Sequence, residues 1–305
     1  MTEAGAAASP VGVLVMAYGT PATTGDIEAY YTHIRRGSTP TPELLAELTG
    51  RYEAIGGTSP LLELTRAQAA GLAEALGPGY VVELGMKHAP PFIEDGVAAL
   101  AAKGVSKVVG LVLAPHYSRL SVGQYEVRAA AAAAEAGVEL AMVQSWHLAP
   151  AYLDLLATYV EDAVDSLKLP RPDVEVLFTA HSLPDHVLMD GDPYANQLRE
   201  TAVMVAARAR VQRWSVAWQS AGRTSEPWIG PDILAVFPSL VVNRARGVVV
   251  CAAGFTSDHL EILYDLDVEA KQAADALGLA FARTPMPNDH PDLMRALAEV
   301  VRARA

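Results

Sequence analysis

His181 closes the apolar run Val174–Thr179 and precedes Ser182-Leu183-Pro184. A neutral imidazole there accepts a proton near neutral pH or binds a metal. A histidine bonded to loop backbone is the other reading, and the residue alone leaves both open. In a helix covering 258–276, Glu261, Asp265 and Glu269 fall at i, i+4 and i+8, on one stripe. Like charges at that spacing cost a helix roughly 0.2–0.5 kcal/mol per pair. A divalent cation with oxygen ligands would reverse that cost, and a solvated acidic face is the alternative. There is no HExxH, EF-hand or CxxC pattern, so weak, transient metal handling fits better than a tight cage. Arg35 and Arg36 follow Tyr30-Tyr31-Thr32-His33-Ile34, and Arg51-Tyr52 and Gly56-Gly57-Thr58-Ser59-Pro60 come after them. Such a basic stretch suits carboxylates, which guanidinium meets in forked geometry. Its alternative is surface arginines paired with Glu28, Glu47 or Glu53. Without a Walker A or GxGxxG motif, phosphate cradling has no support, and without Gly-x-Ser-x-Gly neither has a Ser-His-Asp hydrolase. Cys251 sits inside an apolar run and reads as inert core rather than nucleophile.

These residues need elements to position them. Short apolar runs at Val11–Met16, Tyr80–Gly85, Lys107–Leu113 and Glu139–Val143 are followed by a second set at Val174–Thr179, Trp214–Trp218, Gly247–Cys251 and Leu279–Ala282. They are continuous rather than alternating, as in strands covered on both faces. Between them lie helical patterns at Thr65–Ala75, Glu94–Ala102, Tyr125–Ala136, Tyr152–Leu167 and Leu260–Ala276. The expectation is an α/β protein of two doubly wound, Rossmann-like domains, each a mainly parallel sheet of about four strands flanked by helices. The first domain covers residues 1–147 and the second 148–289, with a C-terminal helix in 290–305 packing back on the first. Ligands of open parallel sheets sit beyond the carboxyl ends of the strands, so the site is expected in a cleft between the domains. The residues just past the strands fit that position: Ala17-Tyr18-Gly19, Lys87-His88, Pro115-His116-Tyr117, His181-Ser182, Gln219-Ser220 and Gly254–Glu261.

A chain of 305 residues with 51% hydrophobic and 19% charged residues can bury a full core and is not disordered. Its net charge of −12 repels nucleic acid and anionic membrane surfaces, and any anionic ligand unless local arginines reverse the field. The apolar runs are far shorter than the ~20 residues of a membrane span. The start Met-Thr-Glu-Ala-Gly carries no basic n-region, and Met1–Pro10 reads as a frayed terminus. One cysteine excludes an internal disulfide framework and an all-cysteine cluster. Together these features predict a soluble, cytoplasmic protein that binds neither nucleic acid nor membrane.

Met16-Ala17-Tyr18-Gly19-Thr20-Pro21, Tyr30–Gly37, Arg51–Pro60, Lys87-His88, Leu113–Tyr117, Ala180–Pro184, Gly191–Tyr194, Trp218–Ser220, Pro227–Asp232 and Gly254–Asp265 occur in the order found in the ferrochelatases. The chain resembles that family from about Val11 to its end, and most closely its monomeric, soluble coproporphyrin type from Gram-positive bacteria. The resemblance implies a chelatase-like fold and insertion of Fe(II) into coproporphyrin III. The product, coprohaem, passes to a separate decarboxylase, with which contact would be transient. It also implies roles for residues. Arg35, Arg51, Ser59 and Tyr125 would bind propionates, with Arg36 close by. His181 and Glu261 would face one side of the macrocycle as proton acceptors and metal ligands, and Tyr18 would approach the iron axially from the other. Asp265 and Glu269 would form an outer divalent-metal lane. No tightly bound cofactor is implied, and a lone Cys251 argues against the [2Fe–2S] cluster of some relatives. The chain departs from the usual pattern at Ala221, Arg223 and Cys251-Ala252-Ala253. The alternatives are a protoporphyrin IX ferrochelatase, another tetrapyrrole chelatase such as one for cobalt or nickel, or a non-catalytic tetrapyrrole carrier on the same fold.

Overall fold

Each of the eight apolar runs forms a strand. In the computed structural model, which describes residues 9–222 and 224–305, β1 (Val11–Ala17), β2 (Tyr80–Met86), β3 (Lys107–Val112) and β4 (Glu139–Val143) make one parallel sheet. A second parallel sheet comprises β5 (Val174–His181), β6 (Trp214–Gln219), β7 (Gly247–Cys251) and β8 (Ala280–Arg283). The run at residues 1–8 and Arg223 lie outside the described residues. The strand orders are β2-β1-β3-β4 and β6-β5-β7-β8, so both halves use the same topology. β7 is buried throughout and β1 from its second residue on, which is why both read as unbroken apolar runs.

The helices are α1 (Ile27–Ile34), α2 (Pro42–Ala54), α3 (Leu61–Leu76), α4 (Ile93–Ala102), α5 (Val122–Ala136), α6 (Pro150–Ser166), α7 (His186–Met189), α8 (Tyr194–Arg208), α9 (Ile233–Val242), α10 (Leu260–Leu263), α11 (Lys271–Ala276) and α12 (Pro291–Arg302). One expectation needs correction. The stretch 260–276 is not a single α-helix: a π-helix, Asp265–Ala270, separates α10 from α11. There the Tyr264 carbonyl accepts from both the Val268 and Glu269 N–H groups, at 3.2 and 3.0 Å. The wider turn shifts the register of everything after Tyr264.

α6 and α12 fill the space between the sheets. Tyr152, Leu156 and Val160 of α6 and Leu293, Leu297 and Val301 of α12 share one core with Val13 and Leu111 of the first sheet and Val176 and Phe178 of the second. α12 packs on α3 and α6. The Trp146–Tyr152 stretch, where the chain passes from one sheet to the other, is therefore interior. Trp146 Nε1 donates to the Val112 carbonyl at 3.0 Å and the Tyr152 hydroxyl to the Ala253 carbonyl at 2.8 Å. Nearer the strand ends, Gln68 of α3 donates to the Asn288 carbonyl and accepts from the Ser257 hydroxyl, both at 3.0 Å. Among the described residues no helix is long and apolar enough to cross a membrane.

Candidate active site

In each sheet the connection after the central strand β1 or β5 runs to one side, and the next strand is laid on the other. The crevice therefore opens between β1 and β3, and between β5 and β7. Tyr18 follows β1, His116 follows β3, His181 ends β5 and Gly254–Glu261 follow β7. These ends surround a cleft of about 960 Å³, at the upper end of the ~300–1,000 Å³ usual for ligand sites. Tyr18, Arg36, Arg51, Ser59, Tyr125, His181, Glu261, Asp265 and Glu269 all line it. Gly254 permits the approach of the β7 loop to β5, since a Cβ there would lie 2.4 Å from that of Ala180.

On one wall, His181 Nε2 is 3.7 Å from one carboxylate oxygen of Glu261, and His259 Nε2 is 3.8 Å from the other. Both imidazoles direct Nδ1 at a backbone carbonyl, His181 at Ser182 and His259 at Ser257, the latter at 3.0 Å. Nδ1 must donate to a carbonyl, which leaves Nε2 of each ring toward the acid. Glu261 thus lies between two bases. Burial alone would raise its pKa, but the charge of His181 and bonding to His259 outweigh burial and hold the carboxyl down at about 2. The three groups together make a spot that favours positive charge.

Tyr18 stands on the opposite wall, its ring 4.6 Å from that of His88. Although Tyr18 is 41% exposed toward the cleft, partial desolvation there, with the charge of Glu261, raises its pKa, so the phenol stays protonated. Burial raises Tyr125 likewise. Lys87 lies with its ammonium 5.7 Å from the Tyr18 ring centroid and 5.2 Å from that of Tyr125, donating to Gln124 at 2.6 Å. Burial, then the neighbouring Arg128 and Arg36, pull its pKa down to about 8. Burial is the main cause of that depression, and Arg36 and Arg128 add positive charge beside it.

The basic stretch divides. α1 stops at Ile34; Arg36 takes a left-handed φ of 56° and lines the cleft. Arg35 is not among the lining residues: its Nε donates to the Ser38 carbonyl at 3.2 Å and its guanidinium lies 5.7 Å from the Tyr31 ring centroid. Arg51 comes from α2, which begins with Thr41 as cap and Pro42 at its first position. Arg51 meets Asp265 at 3.4 Å, Glu47 at 3.7 Å and the Tyr264 ring face at 5.0 Å. The Ser59 hydroxyl accepts from the Leu61 N–H at 3.3 Å at the start of α3.

Asp265 and Glu269 both reach the cleft, so the three acids share one side even though the π-turn replaces the regular helix. Asp265 is 6% exposed, which removes the reading of a solvated face at that position. Burial and the charge of Glu261 raise its pKa to about 7, against the opposing Ser220 hydroxyl and Arg51. Among the described residues no group of three or more His, Cys, Asp or Glu is arranged to hold a metal ion. Cys251 is buried in β7, with its thiol pushed up to about 12 by burial.

Two residues received no role from the sequence. His259 is the N-cap of α10, and its Nε2 lies 3.8 Å from the Glu261 carboxylate in the first turn. A His-x-Glu pair at a helix start was the available signal. Lys87 was visible only as the residue that follows β2, since nothing local reveals that Arg36 and Arg128 would lie beside it.

The chain is similar to known proteins in sequence and in fold. The sequence model described as Ferrochelatase matches residues 10–305. The coproporphyrin III ferrochelatase of Anoxybacillus flavithermus is 45% identical over 299 residues, covering 95% of each chain. That of Oceanobacillus iheyensis is 42% identical over 306 residues, covering 97% of each. Among solved structures, the sirohydrochlorin chelatase SirB of Bacillus subtilis subspecies spizizenii, in complex with cobalt, superposes with a TM-score of 0.60 at 13% identity, over 97% of this chain and 95% of that one. CbiX, from siroheme biosynthesis in denitrifying bacteria, does so at 0.54 and 14%, over 97% and 99%. At those identities the likeness is one of fold.

Proposed function

This chain belongs to the ferrochelatase family, and we propose that it inserts Fe(II) into coproporphyrin III to give Fe-coproporphyrin. The observation that carries this reading is the His181–Glu261 pair, 3.7 Å apart, facing Tyr18 across a cleft open to both sheets. A porphyrin must lose two pyrrole protons as iron enters. Glu261, held ionised between two imidazoles, can balance the charge of the entering metal, and His181 can take a proton at Nε2 while Nδ1 stays on the Ser182 carbonyl. Tyr18, a neutral phenol on the opposite wall, is suited to approach the iron axially without adding a charge.

Coproporphyrin III carries four propionates. In a protein of net charge −12 they need local cations, and Arg36, Arg51 and Lys87 supply these at the cleft, with Ser59 and Tyr125 as hydroxyl donors. Arg35 enters this set only if its bond to Ser38 gives way. Asp265 and Glu269 are the proposed outer station for a divalent cation, with no resident cofactor needed for turnover. The protein is proposed to work as a cytoplasmic monomer, delivering coprohaem to a decarboxylase by transient contact.

The test is anaerobic turnover with Fe(II) and coproporphyrin III, followed by the metalloporphyrin Soret band. Metal insertion is expected for the native protein. Tight binding of coproporphyrin without insertion would make it a carrier instead.

A further inference from the structure

Gln219 ends β6 beside His181, its register partner on β5, and is 1% exposed. Its backbone carbonyl accepts from the Ser182 N–H at 2.8 Å. Its side-chain Oε1 accepts from the buried Thr179 hydroxyl at 2.8 Å, and Nε2 donates to the backbone carbonyl of Glu261 at 3.1 Å. One buried amide therefore touches the strand that carries the imidazole and the turn that carries the carboxylate. Its orientation is dictated, because a reversed amide would set an oxygen against the Glu261 carbonyl.

We propose that Gln219 is a positioning residue which fixes the distance between His181 and Glu261. Glu261 sits in the single turn of α10, and a π-helix follows directly. Short and irregular backbone of this kind has few internal bonds to hold it, so an external anchor decides where the carboxylate lies. β5 and β6 are locked to each other by their ladder, and Gln219 carries that lock across to the Glu261 turn. No other common side chain does the same at this length. Glutamate would repel the carbonyl, methionine offers no donor, and asparagine is one methylene short.

The proposal rests on the proposed reading of the site, and the experiment separates the two. Gln219→Met and Gln219→Glu are compared with Thr179→Val, which removes the other bond of the same amide and spares the one to Glu261. Misplacing reacting groups by about 1 Å costs on the order of 10²-fold in rate. The Gln219 variants are expected to lose ~10- to 100-fold in kcat, with an unchanged KM for coproporphyrin. Thr179→Val, which also breaks a buried bond of that amide, is expected to lower Tm as the Gln219 variants do while keeping its kcat. In crystals, the 3.7 Å His181–Glu261 separation should widen in Gln219→Met and persist in Thr179→Val. Retained kcat in folded Gln219 variants, an equal loss in Thr179→Val, or an unchanged separation would overturn the proposal. A native protein that inserts no metal would refute the functional reading, and the crystallographic separation would then decide on Gln219 by itself.

Discussion

At the scale of single residues the site is a matter of shared charges. His181→Ala should lower kcat by ~10²- to 10⁴-fold, the usual share of a positioned proton acceptor. Its coproporphyrin affinity, measured by fluorescence quenching, should stay that of the native protein. Arg51 has two demands on it, Asp265 at 3.4 Å and a substrate carboxylate. Arg51→Ala should weaken coproporphyrin binding by ~10- to 100-fold, from the loss of a charged hydrogen bond; unchanged binding would contradict the anion site. Asp265 adds a pH dependence with a definite sign. Its folded pKa, near 7, lies above the ordinary 3.8, so below pH 7 the acid holds a proton that an entering cation must displace. Affinity for Zn(II) at the outer station, measured by calorimetry, should climb as pH rises toward 7 and level off above it. Because Arg51 pulls this pKa down, Arg51→Ala should move the rise to higher pH. A flat profile in the native protein would remove Asp265 from the outer station.

At the scale of elements, much was legible because burial on both faces leaves a simple mark. The strands were readable as mainly apolar runs, most plainly the central β1, β3 and β7, and the residues after β1, β2, β3, β5, β6 and β7 pointed to the crevice. The π-helix was not readable. The acidic spacing in Glu261–Glu269 satisfies a 3.6-residue period, and only the packing of Leu266 and Ala270 against the second core shows where the wider turn falls. The fate of Arg35 was hidden for a related reason. Where α1 stops, and whether Arg35 or Arg36 turns inward, depends on the left-handed Arg36-Gly37 pair, with φ of 56° and 89°, not on residue type. Gly254 offers a test at this scale. A Cβ at that position would meet Ala180 at 2.4 Å, in backbone-framed surroundings that cannot swing away. Gly254→Ala should destabilise the fold by ~1–3 kcal/mol, as overpacking does, and should disturb His181 one residue further along β5. Thermal denaturation measures the first effect and kcat the second; native stability would show that the β7 loop is free to move.

At the scale of the whole molecule, two sheets of identical order face each other across α6 and α12, and bonds such as Gln68 to Ser257 and Asn288 join the halves near the strand ends. Neither half holds the site alone: Tyr18 and the cations belong to the first, His181 and the acids to the second. A molecule of net charge −12 repels a polyanion over most of its surface, and Arg36, Arg51 and Lys87 give one side of the cleft local positive charge that can hold carboxylates. That asymmetry bears directly on which porphyrin is used. The decisive measurement is anaerobic Fe(II) insertion with coproporphyrin III and protoporphyrin IX in parallel, comparing kcat/KM from the Soret change. The expected result is rapid metallation of the tetracarboxylate and slow metallation of the dicarboxylate. Preference for protoporphyrin IX would contradict the substrate assignment while keeping the chelatase, and metallation of neither would contradict the enzyme.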